Sequence, residues 1–436
     1  MAALYGRRNV LSWAFYDWAN SAFATTVMAA FFPVFLQRYW STGVDPTVTT
    51  SRLGFAAGVA GLVVALLAPV LGAIADRGRR RKRFLVAWSL FGIFSTAALW
   101  FVGQGNWIPA VCLFIAGTVG FSAANVFYDA MLLDVAAPNE LDRVSAFGYA
   151  LGYLGGGLLF AVNVLMTLKP HWFGLADAAE AVRVSFLTVA VWWLVFMIPL
   201  MLNVRESDAV VRAPSGRGAV RQGIGELLQT VRELRSHRQI VLFLVAYWLY
   251  IDGVNTIIKM AVDYGAALGL PTSSLMTALL LTQFVAFPAA LAFGWVGDRI
   301  GARRGILIGL TVYGLATVYA SVLDSLSEFY ALAVVIGLVQ GGVQSLSRSF
   351  FGRLVPAGKG GEFFGFYNMM GKFATVVGPV LVALVALQTG SSRASILALV
   401  ILFVAGGLVL LMVRDPAQSR PGQAAGSSAN RPRSVP

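Results

Sequence analysis

The chain has 436 residues, 58% of them hydrophobic and only 12% charged, with a net charge of +13. Soluble domains carry about 25% charged residues, so this composition excludes an ordinary soluble enzyme. No ~10-residue alternating strands suggest a membrane β-barrel, and the basic excess lies in loops on one side of apolar runs, which suits membrane topology and not nucleic acid.

Twelve apolar runs predict membrane-crossing helices at about 10–36, 53–75, 84–103, 107–132, 144–168, 183–203, 239–262, 273–297, 304–323, 328–351, 363–387 and 394–413. Gly and Pro interrupt several, which packed neighbouring helices tolerate. The expected protein is an all-α polytopic membrane protein. Its first run is too long for a signal-peptide core, and no small-residue cleavage site follows it.

That first run carries Tyr16-Asp17-Trp18-Ala19-Asn20-Ser21. Asp17, Asn20 and Ser21 stand at i, i+3 and i+4 and share a helix face. A carboxylate inside a membrane helix costs about 2.5–3.5 kcal/mol on insertion scales, so it normally faces a bundle interior or a watery cavity. The competing reading is a structural bond to a neighbouring helix.

Orientation follows from the Lys and Arg residues. With the N-terminus inside, only Arg38, Arg52, Lys169, Arg183 and Arg393 fall outside, and Lys259, Arg348 and Lys372 fall within spans. All the others are cytoplasmic, which predicts both termini inside a plasma (inner) membrane. The longest connection divides the chain into a first bundle over residues 1–203, a linker over 204–238, a second bundle over 239–413 and a tail over 414–436. In the linker, Ile224, Leu227, Leu228, Val231 and Leu234 recur at helical spacing among Arg221, Arg232 and Arg235. This reads either as an amphipathic helix on the anionic leaflet or as a plain spacer. The tail is rich in Pro, Ser, Gly, Ala and Arg and reads as disordered.

The halves repeat. Gly72-Ala-Ile-Ala-Asp76-Arg77-Gly78 follows the second span, and Gly294-Trp-Val-Gly-Asp298-Arg299-Ile-Gly301-Ala-Arg303 follows the eighth. Glycine permits close helix contact, the aspartates suit arginines or helix N-termini, and the arginines hold the loops at the inner surface. Phe147-Gly148-Tyr149 corresponds to Phe364-Gly365-Phe366, and Asp252-Gly-Val-Asn255-Thr256 echoes Asp17-Trp-Ala-Asn20-Ser21.

The two Gly-x-x-x-Asp-Arg loops and the six-plus-six layout resemble the major facilitator superfamily, although Gly78 follows Arg77 without the usual intervening residue. The stretch Ser12 to Phe23, followed by Phe31-Phe32-Pro33, is similar to the branch once called "unknown major facilitator", related to the autophagy-associated vacuolar amino-acid effluxers of fungi. The resemblance implies a transporter with twelve transmembrane helices in two pseudo-symmetric six-helix bundles. It also implies that spans 1, 4, 7 and 10 line a central cavity.

The interior charges fit that implication. Asp17, Asp129, Asp252 with Lys259, and Arg348 lie in spans 1, 4, 7 and 10, and Lys372 lies in span 11. Acids and bases balance, as mutual pairing in a low-dielectric space requires. The candidate proton-coupling residues are Asp17, Asp252 and Asp129. The candidate cavity residues are Asn20, Ser21, Asn125, Tyr128, Asn255, Thr256, Lys259, Gln340, Gln344, Arg348, Asn368 and Lys372. Several carry two readings: Lys259 and Lys372 as cavity groups or snorkelling side chains, Tyr149 and Tyr153 as cavity walls or interfacial anchors. Arg348 reads as a binder of substrate carboxylate or as the partner of an acid in the N-terminal half. Asp134 is expected to pair with Arg143.

Cys112 is the single cysteine, and the two histidines, His171 and His237, fall in loops, so no disulfide, metal centre or cofactor is expected. No phosphate-cradling Gly-x-x-x-x-Gly-Lys-[Ser/Thr] stretch is present for direct ATP drive. The reading is a proton-coupled secondary transporter, not an enzyme, working as a monomer on a small polar solute, with an amino acid or short peptide as the lead substrate. The rivals are an exporter of drugs or hydrophobic cations, and a transporter-like receptor whose interior charges are locked pairs.

Overall fold

In hydrocarbon every backbone N–H and C=O needs an internal partner, so the apolar runs wind into helices. The computed structural model describes residues 2–78, 81–205, 237–267, 269–374 and 377–415, and every regular element among them is helical. The membrane-crossing elements are α1 (Arg8–Trp40), α2 (Pro46–Gly78), α3 (Arg81–Phe101), α4 (Trp107–Val135), α5 (Leu141–Leu168) and α6 (Ala178–Asn203). The second half supplies α7 (Arg238–Ala267), α8 (Thr272–Ile300), α9 (Ala302–Ala320), α10 (Leu326–Leu354), α11 (Gly360–Thr389) and α12 (Arg393–Leu411).

Among the described residues, eleven of these are apolar and long enough to cross a bilayer. The twelfth, α9, opens with Arg303 and Arg304, which lower its mean hydropathy. The linker helix expected over 221–235 and the tail beyond 415 lie outside the described residues.

Two helices depart from the plain expectation. In α1, Phe23–Phe31 and Leu36–Trp40 wind as π-helix, with the wider i→i+5 turn. In α11, the helix stops at Phe373, Ala374 leaves helical geometry, and a second helical stretch is described over Val377–Thr389.

Aromatic residues fill each half. Phe32 stacks on Phe114 with centroids 4.0 Å apart, and Trp40 on Phe186 at 5.9 Å. In the second half Tyr247 stacks on Tyr367 at 4.2 Å and Tyr313 on Phe403 at 5.4 Å. The halves meet where α2 lies along α11 and α5 along α8. That approach needs the loop-motif glycines. A Cβ at Gly72 would overlap the Gly361 carbonyl, and one at Gly294 would sit 2.6 Å from the Ala146 Cβ.

The basic-loop end is tied by charge. Arg143 on α5 pairs with Asp298 on α8, and Asp142 on α5 pairs with Arg353 on α10 at 2.7 Å. Asp134 therefore departs from expectation: its partner is Arg81, at 3.0 Å. Arg81 opens α3 beside the end of α4, whereas Arg143 faces across to the other half. The motif's basic residues also do more than hold loops at the surface. Arg303 donates to the Val413 carbonyl at 2.7 Å, and Lys82 donates to Val204 at 2.9 Å, so each caps the last carbonyls of its half's sixth helix. Arg299 stacks over Trp295 at 3.7 Å, and Gly301 takes φ +90° in the turn. The side chains of Asp76 and Arg77 lie outside those described.

Candidate functional site

Three helices bring three charges together between the halves. Asp17 comes from α1, Asp129 from α4 and Arg348 from α10. The Arg348 Nη1 donates to Asp129 Oδ1 at 3.1 Å and lies 3.7 Å from Asp17 Oδ2. Its Nε donates to the Ser145 hydroxyl at 2.9 Å, and its Nη2 to the Ser145 carbonyl at 2.8 Å. Rings surround the guanidinium, with centroids 4.3 Å away at Tyr149, 5.0 Å at Trp13 and 5.3 Å at Tyr128. Arg348 is 1% exposed, so this second-half cation is solvated wholly by first-half groups.

The two carboxylates have different company. Asp129 Oδ2 accepts a 2.9 Å bond from the Asn368 amide on α11. Among the described residues, Asp17 accepts hydrogen bonds from neutral hydroxyls, Tyr128 at 3.3 Å and Ser21 at 3.4 Å.

This cluster forms the floor of a cavity of about 390 Å³. From the floor the walls run away from the basic-loop end, past Asn20, Asn125, Gln340 and Gln344, to Leu275, Phe329 and Leu332 near the far ends of α8 and α10. Tyr149 and Tyr153 are both walls. Two hydrogen bonds tie the walls across the halves: Tyr153 to Gln344 at 2.6 Å, and Gln283 to Thr25 at 2.5 Å. Asn20 donates to Asn125 at 2.7 Å.

The structure brings together Asp17, Asn20, Ser21, Asn125, Tyr128, Asp129, Gln340, Gln344, Arg348 and Asn368 along the cavity. It does not bring the α7 motif there. Asp252 is 1% exposed and turns to the break in α11, where its Oδ2 accepts from the Val377 N–H at 3.0 Å. Asn255 donates to the Ala374 carbonyl at 3.3 Å on the other side of the break, and Thr256 donates to Asp252 at 3.4 Å. Of the two echoing motifs, the one in α1 faces the cavity and the one in α7 does not, so Asp252, Asn255 and Thr256 depart from the expected cavity placement. Helical periodicity gave each face its residues but not its azimuth. Lys372, one turn after Asn368, acts electrostatically on Asp129 without lining the cavity. The Lys259 side chain lies outside those described.

Sequence reasoning missed Ser145, Trp13, Thr25 and Gln283. None breaks an apolar pattern with a charge, and each acquires its role through a partner more than a hundred positions away. Among the described residues, no group of three or more His, Cys, Asp or Glu side chains is placed to hold a metal.

The architecture has solved counterparts. It superposes on the human organic anion transporter MFSD10 (TETRAN) with a TM-score of 0.66 and 17% identity, over 93% of this chain and 99% of that one. The proton:xylose symporter XylE gives 0.66 and 15% identity, over 93% and 95%. The fold is that of the major facilitator transporters. Within it, the chain belongs to the family described as "Vacuole effluxer Atg22 like", which matches residues 5–421. The uncharacterised MFS-type transporter YxiO of Bacillus subtilis (strain 168) is 37% identical over 406 residues, 93% of this chain and 94% of its own. Autophagy-related protein 22 of Coccidioides immitis (strain RS) is 22% identical over 528 aligned residues, 93% and 87% of the two chains. Against autophagy-related protein 22-2 of Aspergillus clavatus the match is 27% over 284 residues and spans about half the length, 46%, of that fungal protein. The protein is a multi-pass membrane transporter and not an enzyme.

Proposed function

We propose that this transporter couples the movement of a small zwitterion, an amino acid or short peptide, to a proton, and that Asp17 carries the proton. The observation that supports it is the unequal pairing on the cavity floor: Arg348 hydrogen-bonds Asp129, on which Lys372 also acts, and stands 3.7 Å from Asp17, which among the described residues has no such second cation. A carboxylate less fully paired than its neighbour in a low-dielectric place is costly until something neutralises it. A proton does so, and so does the ammonium group of a substrate. Competition or cooperation between the two is what couples a gradient to transport.

Three of the five N–H groups of Arg348 are engaged by Ser145 and Asp129, and the amide groups of Asn20, Asn125, Gln340 and Gln344 offer further donors to a substrate carboxylate. A volume near 390 Å³ lies at the small end of ligand pockets and suits a molecule of that size. The family's description as a vacuole effluxer agrees with a solute carrier of this kind. With the Lys/Arg-rich ends taken as facing the cytoplasm, both termini inside a plasma membrane, the cavity opens outward in this state. Alternating access by one chain then needs no partner subunit.

A second reading has support of its own. Tyr128, Tyr149, Tyr153, Tyr247 and Tyr367 line the cavity, and tyrosine faces attract organic cations. Proteoliposomes under an imposed pH gradient separate the readings when given a panel of amino acids, dipeptides and organic cations. The zwitterion reading predicts gradient-driven accumulation of one or more of the first two groups, and its loss in Asp17→Asn. Accumulation of organic cations alone would replace it with the second reading. Full accumulation by Asp17→Asn would remove Asp17 as carrier.

A further inference from the structure

The two floor carboxylates are not equivalent, and α5 holds the reason. We propose that Ser145 and Gly148 are positioning residues: they seat Arg348 on Asp129 and thereby leave Asp17 as the exchangeable carboxylate. The inference rests on the reading of Asp17 given above and adds what makes it so.

Ser145 meets Arg348 twice, through its hydroxyl at 2.9 Å and its carbonyl at 2.8 Å. The same hydroxyl donates to the Ser345 carbonyl at 2.8 Å, so it is fixed to α10 and not free to follow a moving guanidinium. Nε and Nη2 are thereby anchored, and the fork geometry of the guanidinium then dictates where Nη1 points. It points at Asp129, 3.1 Å away, with Asp17 at 3.7 Å.

Gly148, one turn along, leaves the space this needs. A Cβ there would lie 2.8 Å from the Tyr128 hydroxyl, 2.9 Å from the Trp13 ring and 3.1 Å from Arg348 Nη2. Trp13 is itself held by donation to the Tyr128 carbonyl at 3.1 Å and stacks on the Tyr128 ring, so these neighbours cannot simply withdraw.

Among the described residues, the charged and titratable groups facing the cluster are Tyr16 and Asp17 from α1, Tyr128 and Asp129 from α4, Tyr149 and Tyr153 from α5, Tyr247 from α7 and Lys372 from α11. Lys372 and the Asn368 amide, both on α11, also act on Asp129 and add to its share of the positive charge.

The test uses the purified full chain in detergent and dicyclohexylcarbodiimide, which adds to protonated carboxyl groups in apolar surroundings, with adducts located by mass spectrometry. The wild type should carry the adduct at Asp17 with Asp129 spared. Ser145→Ala frees Arg348 to turn toward Asp17, and the Asp17:Asp129 labelling ratio should fall about tenfold, the scale of one charge-assisted hydrogen bond. Ser145→Thr keeps the hydroxyl and should restore the wild-type ratio. Gly148→Ala should lower the ratio as Ser145→Ala does.

A wild type with no Asp17 adduct, or with Asp129 labelled as readily, overturns the proposal. So does an unchanged ratio in Ser145→Ala, or a Thr variant that behaves like the Ala variant. Labelling needs no transport, so the two readings fail separately. The labelling preference without gradient-driven accumulation sinks proton coupling and keeps the seat. Accumulation without the preference does the reverse.

Discussion

Arg348 shows what one buried charge demands of its surroundings. Its donors meet two groups of Ser145 and a carboxylate, and three aromatic rings face it. Removing one member of a buried charged set costs about 3–5 kcal/mol, because the remaining charge keeps its desolvation penalty without its partner. Arg348→Met leaves Asp17 and Asp129 facing each other with no guanidinium. Adding Asp129→Asn removes one of those charges. The double variant should therefore melt at a higher temperature in detergent than Arg348→Met alone. A double variant as unstable as the single would mean that the charges are not what the site balances. Much of this cluster was legible in the sequence, because Asp17, Asp129 and Arg348 are costly residues in long apolar runs. Ser145 and Gly148 were not, since serine and glycine are ordinary in membrane helices. Asp134 shows the same limit: a charge announces that it needs a partner, but Arg81 and Arg143 are equally good candidates on paper.

At the scale of elements, α11 shows why α7 carries an aspartate that never reaches the cavity. A helix interrupted in a bilayer leaves amide and carbonyl groups without partners, each costing several kcal/mol if nothing meets them. Asp252 meets the Val377 N–H beyond the interruption, and Asn255 meets the Ala374 carbonyl where the first stretch stops. Asp252 thus satisfies a main-chain N–H near that interruption from a different helix, much as a cap does. Caps of this kind are worth about 0.5–2 kcal/mol. Asp252→Ala should lower the melting temperature measurably, while Asp252→Asn, which keeps an acceptor oxygen, should lose less and should still accumulate solute under a pH gradient. Loss of accumulation in Asp252→Asn, with stability intact, would return Asp252 to the list of proton carriers. The sequence could not foretell this role. The echo between the Asp17 and Asp252 motifs suggested equal duties; Gly378-Pro379 mark the interruption of α11, but nothing in the chain says that Asp252 faces it. Pseudo-symmetry holds for the helix order and for the Lys82 and Arg303 caps, and fails where the two halves do different work.

At the scale of the molecule, the cavity is closed at the basic-loop end and extends toward the other. Glycines let α2 meet α11 and α5 meet α8 there, and α5 contributes two adjacent charges to the seal. Asp142 engages Arg353 and the Ser349 hydroxyl on α10, while Arg143 engages Asp298 on α8. One turn of one helix thus holds two helices of the other half. A transporter working by alternating access must break these contacts to open the other way, so their strength sets the balance of states. Removing one partner of the Arg143–Asp298 pair should shift the population toward the state open at the basic-loop end. The shift can be read with Cys112 replaced by serine and a reporter cysteine at Ala278, a cavity wall on the far side of the floor. An impermeant maleimide added from outside should label Ala278→Cys readily in the otherwise unaltered chain. Asp298→Ala should slow that labelling, because the far side closes as the basic-loop end opens. Arg143→Ala should slow it equally, and the double variant no further, since both remove the same contact. Additive slowing would mean that the two residues act through different partners. Labelling unchanged in all three would mean that the seal is carried by the Asp142–Arg353 contact and the helix packing alone.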